Sequence, residues 1–187
     1  ANTDGINIIC SKDNFSEIQA QLNVSDLETG MDLEFTEYQA TYNESVNSYI
    51  AVMKNGDVKT KGNYASIGLS KNPVNSICND AVIAYISNHT PIEQTIISCT
   101  DATKFLTVRT VNGGAVWRDT YLGKVVRFYH STDGDTINYK KNGNKVPNSN
   151  DCKPLMDLPD TFPSDIDKQW YINEAIKKLG LLGIDYA

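Results

Sequence analysis

The spacing of apolar and polar positions divides the chain into two unlike parts. Residues 5–10 form a short apolar run behind the Asn2-Thr3-Asp4-Gly5 turn and predict a strand. Residues 13–22 switch to helical spacing. Phe15, Ile18 and Leu22 fall at i, i+3 and i+7, and Asp13 or Asn14 can cap the first turn. Residues 31–43 alternate, with Met31, Leu33 and Phe35 against Asp32, Glu34 and Thr36, as a strand with one wet face does. Residues 46–53 predict a further strand. Asn55-Gly56 predicts a two-residue hairpin turn that sends Val58 and its successors back antiparallel.

Beyond Tyr64 the pattern becomes helical, then mixed. Residues 73–87 carry Ile77, Ala81, Ile83 and Ala84 as an apolar stripe behind Pro73. Thr90-Pro91-Ile92-Glu93 reads as a capping box, with Thr90 at the N-cap and Glu93 at the third helical position. Asp101 can cap a third short helix through Phe105. Residues 106–139 are rich in Val, Tyr and Thr and predict strands, broken at Gly113-Gly114 and Asp133-Gly134. Residues 140–145 are a polar turn, and the Pro-rich residues 146–164 predict an extended loop. Asp165 to Leu182 closes the chain as an amphipathic helix, with Trp170, Ile172, Ala175, Ile176 and Leu179 on its apolar side. The predicted class is α+β: a small antiparallel sheet with one helix over residues 1–65, then a helical and mixed part over residues 66–187.

Charge sharpens this division. The net charge is −6 over 187 residues, which disfavours nucleic acid if charge is spread evenly. It is not spread evenly. Residues 1–58 hold Lys12 and Lys54 against ten acidic residues, whereas residues 59–127 hold eight Lys/Arg against four. An acidic end beside a basic middle suits a cation site next to a phosphate site. No apolar run reaches the length of a membrane span. With no leader read at the start and four widely spaced cysteines, the expected setting is cytoplasmic, with reduced and mostly buried thiols. No CxxC pair occurs, so zinc is not expected.

Two groups of residues carry candidate chemistry. A carboxylate in a tight turn, such as Asp4, can ligate a hard cation, and Mg²⁺ sites on phosphate substrates use one or two such groups. Such a turn is also an ordinary structural device. Lys59 and Lys61 are two apart on an extended segment, so they share a face and suit a phosphodiester backbone, with Tyr64 nearby to pack on a sugar or bond a phosphate. Lysines on an edge strand also serve simply to discourage aggregation. His89 and His130 are far apart in sequence with no evident nucleophile, so neither a Ser-His-Asp nor a Cys-His site is expected, and both read as surface or interfacial residues. Trp170-Tyr171 reads as a packing anchor.

Taken in order, these pieces resemble the C-terminal part of a family-B DNA polymerase, particularly the divergent bacteriophage kind. Asn2-Thr3-Asp4-Gly5-Ile6 is similar to the metal-binding palm turn of that family, with Asp4 at the position of its second aspartate, Asn2 in place of the first and Gly5 in place of a serine. Lys61-Gly62-Asn63-Tyr64 looks like the segment that contacts the primer strand. Gly62 and Asn63 depart from that pattern, so Lys61 and Tyr64 carry it. Leu33 to Tyr38 is similar to the acidic strand between the two motifs, and Pro91 to Ile96 and Asp165 to Ile172 look like thumb and C-terminal helices.

The resemblance implies a palm portion over residues 1–65 and a thumb over residues 66–187. It implies template-directed nucleotidyl transfer to a primer 3′-OH with two Mg²⁺ ions, primer–template DNA and dNTP as ligands, and no membrane. Two-metal transfer needs carboxylates that hold ions about 3.5–4 Å apart. Asp4 alone cannot do so. The expected partner is therefore a larger polymerase chain carrying the exonuclease, the fingers and the first palm aspartate. Two other readings remain: a non-catalytic nucleic-acid-binding accessory module acting through residues 59–127, and a structural or interaction protein that binds no DNA.

Overall fold

The computed structural model describes residues 8–30, 36–65 and 72–186. The Asp4 turn, residues 31–35 of the predicted second strand and the first part of the predicted strand at residues 5–10 lie outside them. Residues 8–10, the described end of that predicted strand, are irregular.

Helix α1 (Phe15–Thr29) starts near its predicted place and runs further, ending at Gly30 in the left-handed conformation, whose N–H donates to Asp26 O. Strands β1 (Tyr38–Ser45), β2 (Ser48–Met53) and β3 (Val58–Lys61) form an antiparallel sheet in that order. Helices α2 (Ser76–Asn88) and α3 (Ile92–Ser98) follow, then a short 3-10 turn over Ala102–Phe105. A second sheet, ordered β6-β4-β5-β7, is built from β4 (Thr107–Trp117), β5 (Thr120–Asp135), β6 (Ile137–Tyr139) and β7 (Cys152–Pro154). Helix α4 (Lys168–Leu181) closes the chain. The fold is α+β with a small antiparallel sheet. Among the described residues no helix is long and apolar enough to cross a membrane.

Side-chain caps explain some boundaries and correct others. Asp101 accepts from the Thr103 N–H at 2.9 Å, and Asp167 from the Trp170 N–H at 3.0 Å, so each carboxylate satisfies a donor that the first turn leaves free. The capping box at Thr90 does not form. Pro91 takes the N-cap position of α3 with no side-chain bond, and the Glu93 carboxylate instead accepts from the Tyr186 hydroxyl. Gly113-Gly114 is not a hairpin turn: both lie inside β4, where the register slips between Thr110 and Ala115, and the hairpin turns at Arg118-Asp119. Asp133-Gly134 likewise lies within β5, and β7 falls in the segment predicted as loop.

Two apolar clusters hold these elements. The larger joins α2, α3 and α4 through Ile77, Val82, Ile96, Ile172 and Leu179, and it takes in Phe105, Tyr129, Ile50 and Tyr64. The sheet β1–β3 therefore shares a core with the helices. The smaller lies on the second sheet around Val111, Val126, Phe128, Ile137 and Val146. Strand β5 serves both, because Phe128 and Tyr129 point to opposite faces. The two clusters are stitched at Tyr171, which is fully buried. Its hydroxyl donates to Phe105 O and accepts from His130 N–H, both at 2.8 Å.

Candidate nucleic-acid interface

The sheet β1–β3 has one face in the core and one outside it. Ile50 pairs with Tyr42 and Thr60, and Val52 with Ala40 and Val58, so Ile50, Tyr42 and Val58 turn toward the larger cluster. The alternate residues make the outer face. Across it, Lys61 is paired with Tyr49 and Tyr49 with Asn43, while Lys59 is paired with Ala51 and Ala51 with Thr41. Lys59 and Asn43 are exposed, Lys61, Tyr49 and Thr41 half-buried, and Ala51 between Lys59 and Thr41 buried. Neither lysine has a hydrogen bond or carboxylate partner among the described residues. Two ammonium groups two residues apart, unpaired among the described residues and beside an aromatic ring and an amide, form a small cationic platform.

The turn decides which face receives the lysines. A two-residue turn at Asn55-Gly56 would pair Lys61 with Ile50 on the core side. The loop instead has three residues, Lys54-Asn55-Gly56. Met53 N–H donates to Asp57 O at 2.8 Å, Gly56 N–H donates to Met53 O at 3.0 Å, and Gly56 takes φ +89°. That one-residue difference moves both lysines to the outer face. Asn55 steadies the loop: its Oδ1 accepts from Asp57 N–H at 3.0 Å.

Tyr64 is corrected by the structure. It is 1% exposed, a member of the larger cluster, and its ring offers no free face to a ligand. Burial, and secondarily Glu44, hold its hydroxyl well above the ordinary tyrosine range. The chain bends inward because Gly62 is left-handed (φ +64°) and packs against the β1–β2 turn. A Cβ there would stand 2.1 Å from Asn47 O. The aromatic ring beside Lys61 is Tyr49, which sequence reasoning missed. The hairpin register is the signal that finds it.

A cleft of about 560 Å³ opens on the far side of β3, lined by Thr60, Asn63, Asn79, Asp80, Lys104 and Lys178 among others. Lys104 is neutralised by Asp80 at 2.8 Å, a hydrogen-bonded contact that also raises the lysine pKa, and Asp101 adds a further negative charge. Charges of both signs suit a phosphate chain poorly. Elsewhere in the basic middle, Arg118 is tied to Asp133 at 3.8 Å and Asp135 at 3.6 Å.

His130 is not a surface residue. It is buried beside Cys152, with Nδ1 3.6 Å from Sγ, because β5 and β7 pair these positions directly. Burial pushes the thiol up to about 12 and the imidazole down to about 4, which favours the neutral form of both at pH 7. The four cysteines are free, with Cys78 and Cys152 buried, Cys99 half-buried and Cys10 exposed.

Asp4, the candidate metal ligand, lies outside the described residues. Among the described residues no group of three or more His, Cys, Asp or Glu could hold a metal ion. No protein-family model, no curated protein and no solved structure matches the chain.

Proposed function

We propose that the chain is the primer–template-contacting, C-terminal portion of a family-B-type DNA polymerase, acting with a larger polypeptide that carries the fingers and the remaining palm carboxylates. The observation that supports this reading is the outer face of β3, where Lys59 and Lys61 stand beside Tyr49 with no ion-pair partner among the described residues. The lysines bind backbone phosphates, Tyr49 packs against a sugar or base, and the sheet holds all three in fixed register. Asp4 contributes one carboxylate toward Mg²⁺, whose role in the assembled enzyme is to assist phosphoryl transfer.

A second reading, the non-catalytic accessory module, is favoured by the burial of Tyr64. Of the two residues that carry the primer-contact resemblance, only Lys61 is available to DNA.

Primer–template binding across a salt series tests the interface. Lys59→Ala/Lys61→Ala is expected to flatten the slope of log K against log salt by about 1–2, since each phosphate contact contributes about 0.9. An unchanged slope would refute the interface. Mg²⁺-dependent primer extension, with the larger polypeptide supplied, then separates the readings. Asp4→Ala abolishes extension if the chain completes the active site and leaves it intact if the chain is an accessory.

A further inference from the structure

Helix α1 has two apolar stripes on opposite sides. Phe15, Ile18 and Leu22 form one. Ala20, Val24 and Leu27, at i, i+4 and i+7, form the other, about 180° away at about 100° per residue. The first is partly covered, since Ile18 and Leu22 are half-buried. The second is bare: Val24 is 53% exposed and Leu27 87%. A helix of this length is marginal in water without a packed face, and one that is apolar on both sides is built to lie between two surfaces.

The border of the bare stripe indicates what covers it. Glu17 and Glu28 line one edge of it, and α1 contains no Lys or Arg. Glu28 also sits in the last turn, which holds no basic residue and where the negative end of the helix dipole disfavours a carboxylate. An anionic membrane or nucleic acid would be repelled by this surface. The geometry points to a docking site on the Ala20-Val24-Leu27 stripe for a basic amphipathic helix of a partner protein, apolar at the centre and Lys/Arg at the edge. The inference does not rest on the polymerase reading. Three side chains bury less than a stable interface needs, so a partner adds this contact to a larger one, and an isolated helix binds weakly and is titrated to about 1 mM.

Fluorescence anisotropy with short synthetic amphipathic peptides tests it in the full chain. A Leu/Lys helix is expected to bind and its Leu/Glu counterpart not. Val24→Gln/Leu27→Gln, which removes the apolar contact without adding charge, should weaken Leu/Lys binding by at least about tenfold, equivalent to about 1.4 kcal/mol. Circular dichroism checks that α1 remains helical. Glu17→Lys/Glu28→Lys, which leaves the stripe untouched, should reverse the preference toward the Leu/Glu peptide. Equal binding by the stripe variant, or no reversal, overturns the proposal. So does binding to phosphatidylcholine/phosphatidylglycerol vesicles that the stripe variant abolishes. Self-association in sedimentation that disappears in the same variant would assign the stripe to a second copy and overturn it as well.

Discussion

The indole of Trp170 lies flat on the imidazole of His130, ring centroids 3.4 Å apart and 11° from parallel. The contact joins the first turn of α4 to β5, where His130 is buried. Burial lowers the His130 pKa from 6.5 to about 4, against the weaker opposing pull of Asp151, Glu174 and Asp167. The unfolded chain therefore binds a proton that the folded chain refuses between pH 6.5 and about 4. Folding stability is fully present above pH 6.5 and falls as pH drops through that window. The expected loss between pH 6.5 and 5 is roughly 1–2 kcal/mol, read from urea midpoints. His130→Phe keeps an aromatic ring against Trp170 and should flatten this slope. Asp165, whose pKa is lowered by bonds from Lys153, Tyr129 and Ser131, acts only at more acidic pH. An equal slope in His130→Phe would assign the dependence to other groups.

Gly62 and Gly56 separate crowding from backbone strain. Both have positive φ, but a Cβ at Gly56 meets nothing within 4 Å, whereas one at Gly62 strikes backbone atoms of Asn47. Gly56→Ala is expected to cost about 1 kcal/mol and Gly62→Ala about 3 kcal/mol. Thermal or urea unfolding measures both. Equal costs would show that the β1–β2 turn yields easily and does not hold the inward bend to Tyr64.

The thiols should differ sharply in reactivity. Cys78 and Cys152 are buried, each with its pKa pushed up to about 12, and Cys10 is exposed. Labelling native protein with Ellman's reagent at pH 7.5 should modify Cys10 first and leave Cys78 and Cys152 untouched until urea unfolds the chain. Rapid loss of Cys152 in the native state would mean that it and His130 exchange a proton to form an ion pair.

Local chemistry was readable from the sequence, and partners brought together from a distance were not. Asp101 caps its turn as predicted because a cap needs only residues a few positions away. The closing helix shows its apolar side for the same reason. Thr90 is not the cap because α3 has Pro91 at its N-cap, and Tyr186 from the far end of the chain accepts from the Ile92 N–H and donates to Glu93. Gly113-Gly114 has the composition of a turn, yet pairing with β5 on both sides carries β4 straight through it. Tyr64 sits in a polar, lysine-bearing stretch, and only the left-handed Gly62 reveals that the chain dives into the core there. Cys152 and His130 meet through strand pairing across 22 residues, which no spacing rule anticipates. The candidate interface was half legible: the two lysines follow from strand periodicity, whereas Tyr49 follows from the register, which depends on one residue of loop length.

That loop has an evolutionary consequence. Deleting a single residue from Lys54-Asn55-Gly56 changes no side chain on β3, yet it would turn Lys59 and Lys61 inward and present Val58 and Thr60 to solvent. Substitutions on the strand can be absorbed one at a time. A one-codon deletion in the turn cannot, because it inverts the whole strand at once. Variants of this chain that keep the cationic face are therefore expected to vary in residue identity at the turn and to keep its length.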